Sequence, residues 1–242
     1  MISALLFDYG STLDGPDYWL DRFVRLYRDA GLEIARDELD FAYQHASSAA
    51  YGVERVIRRF GLEDLLRFLV GQQVEYLAHD RENQPIATLG SRARHNLVES
   101  ITRSFVNESR ESLGRSRRVL DELRKRFRLG VVSNFYGNLR NLLDEARITP
   151  LLGVVAESSQ VGCAKPDVRI YEYALRGLKI KAPEAAMVGD NLAKDCAPAQ
   201  TLGMTAIWYQ PNGHGAEPRS NVEVAPEHTI HSLDELLMLD LK

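Results

Sequence analysis

Asp8 closes an apolar run, Ile2-Ser3-Ala4-Leu5-Leu6-Phe7, and opens a turn of mostly small residues, Tyr9-Gly10-Ser11-Thr12-Leu13-Asp14. A carboxylate lifted to the C-terminal edge of an α/β sheet can attack an electrophile, hold a cation, or simply cap the next turn. For a lone residue the turn cap is the ordinary case. Three further stretches change the weighing. Leu129-Gly130-Val131-Val132-Ser133-Asn134 is a second apolar run, ending on a hydroxyl. Ala164-Lys165-Pro166-Asp167 sets a lysine just ahead of a helix start, and Ala185-Ala186-Met187-Val188-Gly189-Asp190-Asn191-Leu192-Ala193-Lys194-Asp195 is a third run that ends on two acids. Parallel strands gather their C-terminal ends along one edge, so Asp8, Ser133 and Asp190 can meet although the chain separates them widely.

The elements that must do this positioning follow from hydrophobic periodicity. Trp19, Leu20, Phe23, Leu26 and Tyr27 share a helical face that Asp17 can cap and Gly31 stops. Further helices are expected around Leu39, Phe41 and Ala42, around Val53, Val56, Ile57 and Phe60, along Leu65 to Leu77, and around Leu97, Ile101 and Phe105, with His79 to Pro85 as a loop. No strand pattern interrupts them between Gly15 and about Leu113. From Ser116 the alternation returns: helix to Phe127, strand to Ser133, helix Asn138 to Ala146, strand Gly153 to Ala156, helix Asp167 to Leu178. It continues with strand Ala185 to Val188, helix Ala193 to Leu202 and strand Thr205 to Tyr209. Gln210 to Pro226 then reads as surface loop, and Ser232-Leu233-Asp234-Glu235 as a capping box that opens a last helix. Strands spaced by helices imply a doubly wound parallel α/β sheet, here with an inserted all-helical domain. The expected division is 1–14 with 114–242 as the α/β core and 15–113 as the insert.

Composition narrows the classes. The 242 residues carry 30 Lys plus Arg against 34 Asp plus Glu, a net charge of −4, which gives no basic footprint for nucleic acid. The one basic cluster, Arg115, Arg117, Arg118, Arg124, Lys125, Arg126 and Arg128, is interleaved with Val119, Leu120, Leu123 and Phe127 at helical spacing, the pattern of a solvated helix face. Cys163 and Cys196 are too few for a disulfide framework and stand in no metal spacing; Cys163 is expected to be a small buried thiol. No basic leader and no long apolar stretch is seen, so a cytoplasmic protein is expected, with neither membrane nor nucleic acid as a partner.

The ordered set of four stretches resembles the motifs of the haloacid dehalogenase superfamily, most of whose members are magnesium-dependent phosphatases. The resemblance implies a Rossmann-like core, a helical cap that closes over the site, and a small phosphorylated molecule as substrate, in a monomer or homodimer. It implies Asp8 as nucleophile, forming an aspartyl phosphate, and Mg²⁺ held by Asp8, the backbone carbonyl of Gly10 and Asp190. It further implies Ser11, Thr12, Ser133, Asn134 and Lys165 around the phosphoryl group, with Thr12, Ser133 and Lys165 taking part in catalysis. Asp195 and Asn191 would support the metal's shell, although Asp195 could equally cap the next helix. A turn residue, a strand-end hydrogen bond and a solvated loop cation are the ordinary readings of Thr12, Ser133 and Lys165 taken singly.

One position departs from the pattern. The first motif commonly carries a second Asp two residues after the nucleophile, followed by Gly-Thr, where this chain has Gly10, Ser11 and Thr12. That Asp would protonate the leaving oxygen and later activate water, help worth about 10²- to 10⁴-fold. Three readings stay open: a hydrolase that is slow on phosphate esters or confined to leaving groups needing no proton, such as acyl phosphates; a 2-haloacid dehalogenase; and a non-catalytic phosphate-binding or partner-binding protein. Asp14 and Asp17 are candidate substitute acids, against a hinge position for Asp14 and a helix cap for Asp17. Tyr18, Trp19, Arg22 and Arg25 could face substrate, with core packing for Trp19 and solvation for the arginines as the default.

Overall fold

Residues 1–79, 84–211 and 224–241 are described by the computed structural model of the chain. The loop expected over Gln210 to Pro226 lies largely outside them, as do residues 80–83 of the stretch after His79. The chain divides into two compact units, Met1–Pro16 with Glu111–Lys242, and Asp17–Arg110.

The first unit holds a six-stranded sheet of β1 (Ala4–Phe7), β2 (Arg128–Ser133), β3 (Val154–Glu157), β4 (Ala185–Gly189), β5 (Thr205–Tyr209) and β6 (His228–Ile230). The strands run in the order β3-β2-β1-β4-β5-β6, and each pairing is parallel. All four residues of β1 are buried, as a central strand covered on both faces requires, which is why the run reads as continuously apolar. β6 was not anticipated from the sequence: three residues give too short a pattern to stand out. The order reverses at β1, between β2 and β4, and Phe7 lies level with Val131 on one side and Val188 on the other. The C-terminal ends of these three strands therefore sit side by side at the switch point, where open α/β sheets form their sites.

The helical unit contains α1 (Trp19–Asp29), α2 (Arg36–Gly52), α3 (Glu54–Ile57), α4 (Leu62–His79), α5 (Gln84–Ala87) and most of α6 (Ser91–Leu123), with no strand among its described residues. The expected apolar faces of α1, α4 and α6 are buried, Phe23 and Phe105 completely. Others are not: Phe41 is 61% exposed, and Val53 and Val56 also face solvent. Leu39, Ala42, Ala46 and Ala50 form the buried stripe of α2 instead, because small residues let it lie close against α4. Gln84 and Pro85, expected in a loop, belong to α5. Asp17 does not cap α1; Tyr18 precedes the helix with extended backbone and no capping bond.

In the sheet unit, α7 (Leu139–Glu145), α8 (Ser158–Val161), α9 (Val168–Leu178) and α10 (Ala197–Thr201) follow the strands. Ile170, Tyr171, Ala174, Leu175 and Leu178 on α9 pack against Leu6, Val132 and Met187 in one core. The close approach needs small residues in the sheet: a Cβ on Gly130 would meet Val154 at 2.6 Å and Leu6 at 2.8 Å. Asp167 caps α9 by accepting the Arg169 amide at 3.0 Å. The basic cluster is exposed around the buried Val119, Leu120, Leu123 and Phe127, although α6 ends at Leu123 and not at Phe127. Cys163 is half-buried, not buried as expected, whereas Cys196 is inaccessible. The helix expected from Ala193 is broken into a wide π turn, Leu192–Cys196, and α10, and the last helix is a 3₁₀ turn, Leu233–Leu237, with Glu235 accepting the Ser232 amide at 3.0 Å.

Candidate active site

Asp8 leaves β1 with its amide still bonded to the Val188 carbonyl at 2.9 Å, so the sheet holds its backbone on the β4 side. The Tyr9 carbonyl then accepts the amides of Thr12, Leu13 and Asp14, closing a tight turn in which Ser11 has φ 59°. A left-handed backbone costs a side-chain-bearing residue about 1 kcal/mol, and the resembled motif has glycine here. The fully buried Asp14 carboxylate holds the turn by accepting the Ser11 amide at 2.8 Å. Asp14 is thus a turn anchor of the sheet unit, while Asp17 belongs to the helical unit, 3.9 Å from Arg25.

Three donors converge on Oδ1 of Asp8: the Tyr9 amide at 2.7 Å, the Ser133 hydroxyl at 2.8 Å and the Lys165 ammonium at 2.8 Å. Oδ2 accepts no hydrogen bond among the described residues. The carboxylate is held by one oxygen and offers the other. Lys165 also reaches Oδ1 of the inaccessible Asp195 at 2.6 Å, and Asp195 accepts the Asn191 amide on Oδ2 at 3.0 Å. Burial works against the Lys165 charge, but Asp195 and Asp8 overcome it and raise its pKa above the ordinary lysine value. It is a fixed cation.

Asp190 completes the group, with carboxylate oxygens of Asp8, Asp190 and Asp195 all within 4.8 Å of one another. Thr12 donates to Asp190 at 3.4 Å, and the Trp208 indole N–H holds the Asp190 carbonyl at 3.0 Å. Burial first, then the charges of Asp8 and Asp195, push the Asp190 pKa well above the usual carboxylate range. Burial likewise lifts Asp195 to about 6 against the pull of Lys165. Three carboxylates share one lysine, a surplus of negative charge that fits a hard divalent cation with oxygen ligands. The Gly10 carbonyl, expected as a further ligand, accepts no hydrogen bond among the described residues.

Local backbone explains how two acids five residues apart reach one place. The Asn191 side chain caps the π turn by accepting the Lys194 amide at 2.9 Å, and the Tyr171 hydroxyl donates to the Lys194 carbonyl. The turn folds Asp195 back over Gly189, where a Cβ would stand 2.4 Å from the Asp195 carboxyl carbon. Only glycine leaves that room. Asn134, expected beside a phosphoryl group, donates to the Lys165 carbonyl at 2.9 Å and accepts the Lys165 amide at 2.7 Å. It braces the lysine's backbone and keeps one side-chain N–H for other use.

Sequence reasoning passed over Trp208, Tyr171 and the trio Glu157, Ser158 and Gln160, which bonds the backbone after Ser133. Glu157 carried a usable signal, since it is an acid closing an apolar run at the same sheet edge as Asp8.

The fold and the site together define an α/β protein with a carboxylate–lysine centre at the switch point of a doubly wound sheet. The family model for haloacid dehalogenase-like hydrolases matches residues 2–203, and the chain belongs to that family of enzymes. It is 28% identical over 243 residues to the glyceraldehyde 3-phosphate phosphatase of Methanothermobacter thermautotrophicus, covering 98% of this chain and 100% of that protein. It is 32% identical over 123 residues to the phosphoserine phosphatase of Thermus thermophilus, covering 50% of this chain and 48% of that one. Among solved structures, a 2-haloacid dehalogenase of Pseudomonas syringae shares the fold at TM-score 0.55 and 24% identity, covering 98% and 96% of the two chains. A Bacillus subtilis protein described as a HAD hydrolase bound to magnesium does so at TM-score 0.57 and 18% identity, covering 98% and 97%. No helix of the described residues is long and apolar enough to cross a membrane.

Proposed function

We propose that the protein is a magnesium-dependent phosphohydrolase that works through an aspartyl phosphate on Asp8 and favours small substrates whose leaving group departs without a proton. The observation that carries this reading is the asymmetry of Asp8, with three donors on Oδ1 and none from the described residues on Oδ2. Pinning Oδ1 fixes the carboxylate with that oxygen beside Ser133 and Lys165, towards the phosphoryl group, and leaves Oδ2 for a cation. In the first step Asp8 Oδ1, the oxygen beside Ser133 and Lys165, bonds to phosphorus while the bond from phosphorus to the leaving oxygen breaks and its electron pair leaves with that oxygen. The Ser133 hydroxyl and the Lys165 ammonium, both on Asp8 Oδ1, would stabilise the charge that builds on the phosphoryl oxygens. In the second step water attacks phosphorus, the bond to Asp8 breaks, and the proton goes to solvent.

Asp8 through the Oδ2 it offers, Asp190 and the Gly10 carbonyl would hold Mg²⁺, which when bound supplies neutralising charge for the phosphoryl oxygens. Gly10 offers no acid, and neither Asp14, bonded to Ser11, nor Lys165, a fixed cation, replaces one. Alkyl phosphates are therefore poor substrates and acyl phosphates good ones. The same glycine favours a second reading, a carbon–halogen hydrolase, since halide also leaves unprotonated; the surplus of carboxylates around Asp190 weighs against it. Halide release from a 2-haloacid without metal would establish that alternative.

Acetyl phosphate with Mg²⁺ should add one phosphoryl mass to the chain, and Asp8→Asn should abolish the shift; a wild type that is never labelled and turns over no phosphorylated compound sinks the reading. Gly10→Asp should raise turnover of 4-nitrophenyl phosphate about 10²-fold. The glycine's φ lies outside the left-handed region, so an aspartate meets no backbone strain there. An unchanged rate would show that more than the acid is missing.

A further inference from the structure

Glu157 is wholly inaccessible and stands at the end of β3, level with Ser133 on the neighbouring strand. A buried carboxylate is costly unless it gathers donors. Those it gathers lie in the segment that follows Ser133. One oxygen accepts the amides of Gly137 and Leu139, and the other accepts the Leu139 amide at 3.2 Å and the Gln160 side-chain amide at 3.1 Å. Gly137 has φ 101°, a conformation that favours glycine. Leu139 opens α7, whose preceding residue Asn138 supplies no side-chain cap. Glu157 thus does for α7 from a neighbouring strand what a cap residue does locally, and its charge suits a helix start.

Its neighbours act on the same segment. The Ser158 hydroxyl accepts the Phe135 amide at 3.1 Å, and the Gln160 amide donates to the Gly137 carbonyl at 3.3 Å. On the other side Asn134 is tied to the Lys165 backbone by its two hydrogen bonds. The backbone just past Ser133 is therefore gripped from both directions, by the β3–α8 corner and by the lysine that shares Asp8 with Ser133.

We infer that Glu157 is a positioning residue for the phosphoryl site: by fixing residues 135–139 it sets the placement of the Ser133 hydroxyl against Asp8. The inference rests on the phosphohydrolase reading above, and it adds a residue that touches neither substrate nor metal. In Glu157→Gln one acceptor oxygen becomes an NH₂ group aimed at donors, so the anchor is lost while size is kept. A displacement of a few tenths of an ångström at Ser133 should appear in kcat more than in KM.

The test is a double-mutant cycle with acetyl phosphate and Mg²⁺, joined to hydrogen exchange over residues 135–139. Glu157→Gln should lower kcat about 10-fold with KM within about 3-fold, and should speed exchange across the segment. In a Ser133→Ala background the same change should cost less than about 2-fold, because the hydroxyl it positions is gone. Equal losses in both backgrounds, or an unchanged kcat, overturn the role of Glu157 and leave the Asp8 chemistry standing. If Glu157→Gln does not fold, Ser158→Ala is put through the same cycle with the same two outcomes. A wild type that neither turns over acetyl phosphate nor binds inorganic phosphate with Mg²⁺ overturns the phosphohydrolase reading and this inference with it.

Discussion

The two units both bury charge, with opposite results. In the helical unit Arg22, only 2% exposed, donates to the Phe105 carbonyl at 3.0 Å and the Ser109 hydroxyl at 2.9 Å, with its guanidinium 3.6 Å over the Phe105 ring. Glu108 is shared by Arg22 at 3.5 Å and Arg25 at 2.8 Å, and although burial opposes its charge these partners hold its pKa below the usual carboxylate value. In the sheet unit the acids stand in surplus, and burial with mutual repulsion drives the Asp190 pKa upward. A carboxylate lowered by its partners is already satisfied and serves the structure. A carboxylate raised by burial and by its neighbours lacks a compensating charge, and a cation bound beside it would supply one.

Removing the shared cation should break that contrast most severely. Lys165→Ala leaves Asp8, Asp190 and Asp195 without their lysine, and loss of one partner from a buried pair costs about 3–5 kcal/mol. Arg58→Ala in the helical unit, which breaks the exposed pair to Glu54, should cost less than about 1 kcal/mol. Urea denaturation of both variants checks the difference; comparable losses would mean that the core acids readjust as freely as surface ones.

Glycines give a finer comparison. Gly189→Ala forces a Cβ against Asp195 and should cost about 10²-fold in turnover through displaced Asp195 and Lys165. Gly71→Ala, inside α4 with nothing within 4 Å of its Cβ, should raise stability by about 0.5–1 kcal/mol and leave turnover alone. Steady-state rates and thermal melts on the pair decide it.

The smallest effect is a pH slope. Asp190 and Asp195 have folded pKa values above their unfolded 3.8, so the folded chain binds more protons than the unfolded one. Their destabilising contribution is absent below 3.8 and grows as pH rises through the folded values, about 6 for Asp195. Glu108 has the opposite sign: its stabilising contribution is full above 4.5 and is lost as pH falls through its lowered folded value. Metal-free protein should therefore gain about 2–4 °C in Tm between pH 7.5 and 5.5, before the Glu108 loss begins. Mg²⁺ should raise Tm more at pH 7.5 than at 5.5. A Tm that falls over this interval, or a Mg²⁺ effect independent of pH, would remove the surplus-charge argument.

Much of the site was legible because its residues sit where apolar runs stop. Asp8, Ser133 and Asp190 each close such a run, and a buried parallel sheet makes runs easy to see. Lys165 was legible by its place before a helix start. What escaped were residues acting through backbone groups of another segment, such as Glu157 on Gly137 and Leu139 or Tyr171 on Lys194, whose partners are named by tertiary closure and not by spacing. Arg22, expected in solvent, is buried because α6 supplies two acceptors, at Phe105 and Ser109, the Glu108 carboxylate and the face of the Phe105 ring. The face of α2 was misjudged for a similar reason: Phe41 is as apolar as a core residue, but α4 packs on the alanine stripe.

The sequence by itself determined the alternation of strands and helices, the helical interruption after Gly15 and the residue types at the strand ends, since these depend on period, local turn chemistry and side-chain identity. Only the tertiary structure decided which oxygen of Asp8 is offered, that Asp195 folds back over Gly189 to hold Lys165, and that a buried glutamate anchors the segment after Ser133. Those outcomes depend on distances between segments far apart in the chain, and no local pattern encodes a distance until the sheet has brought the segments together.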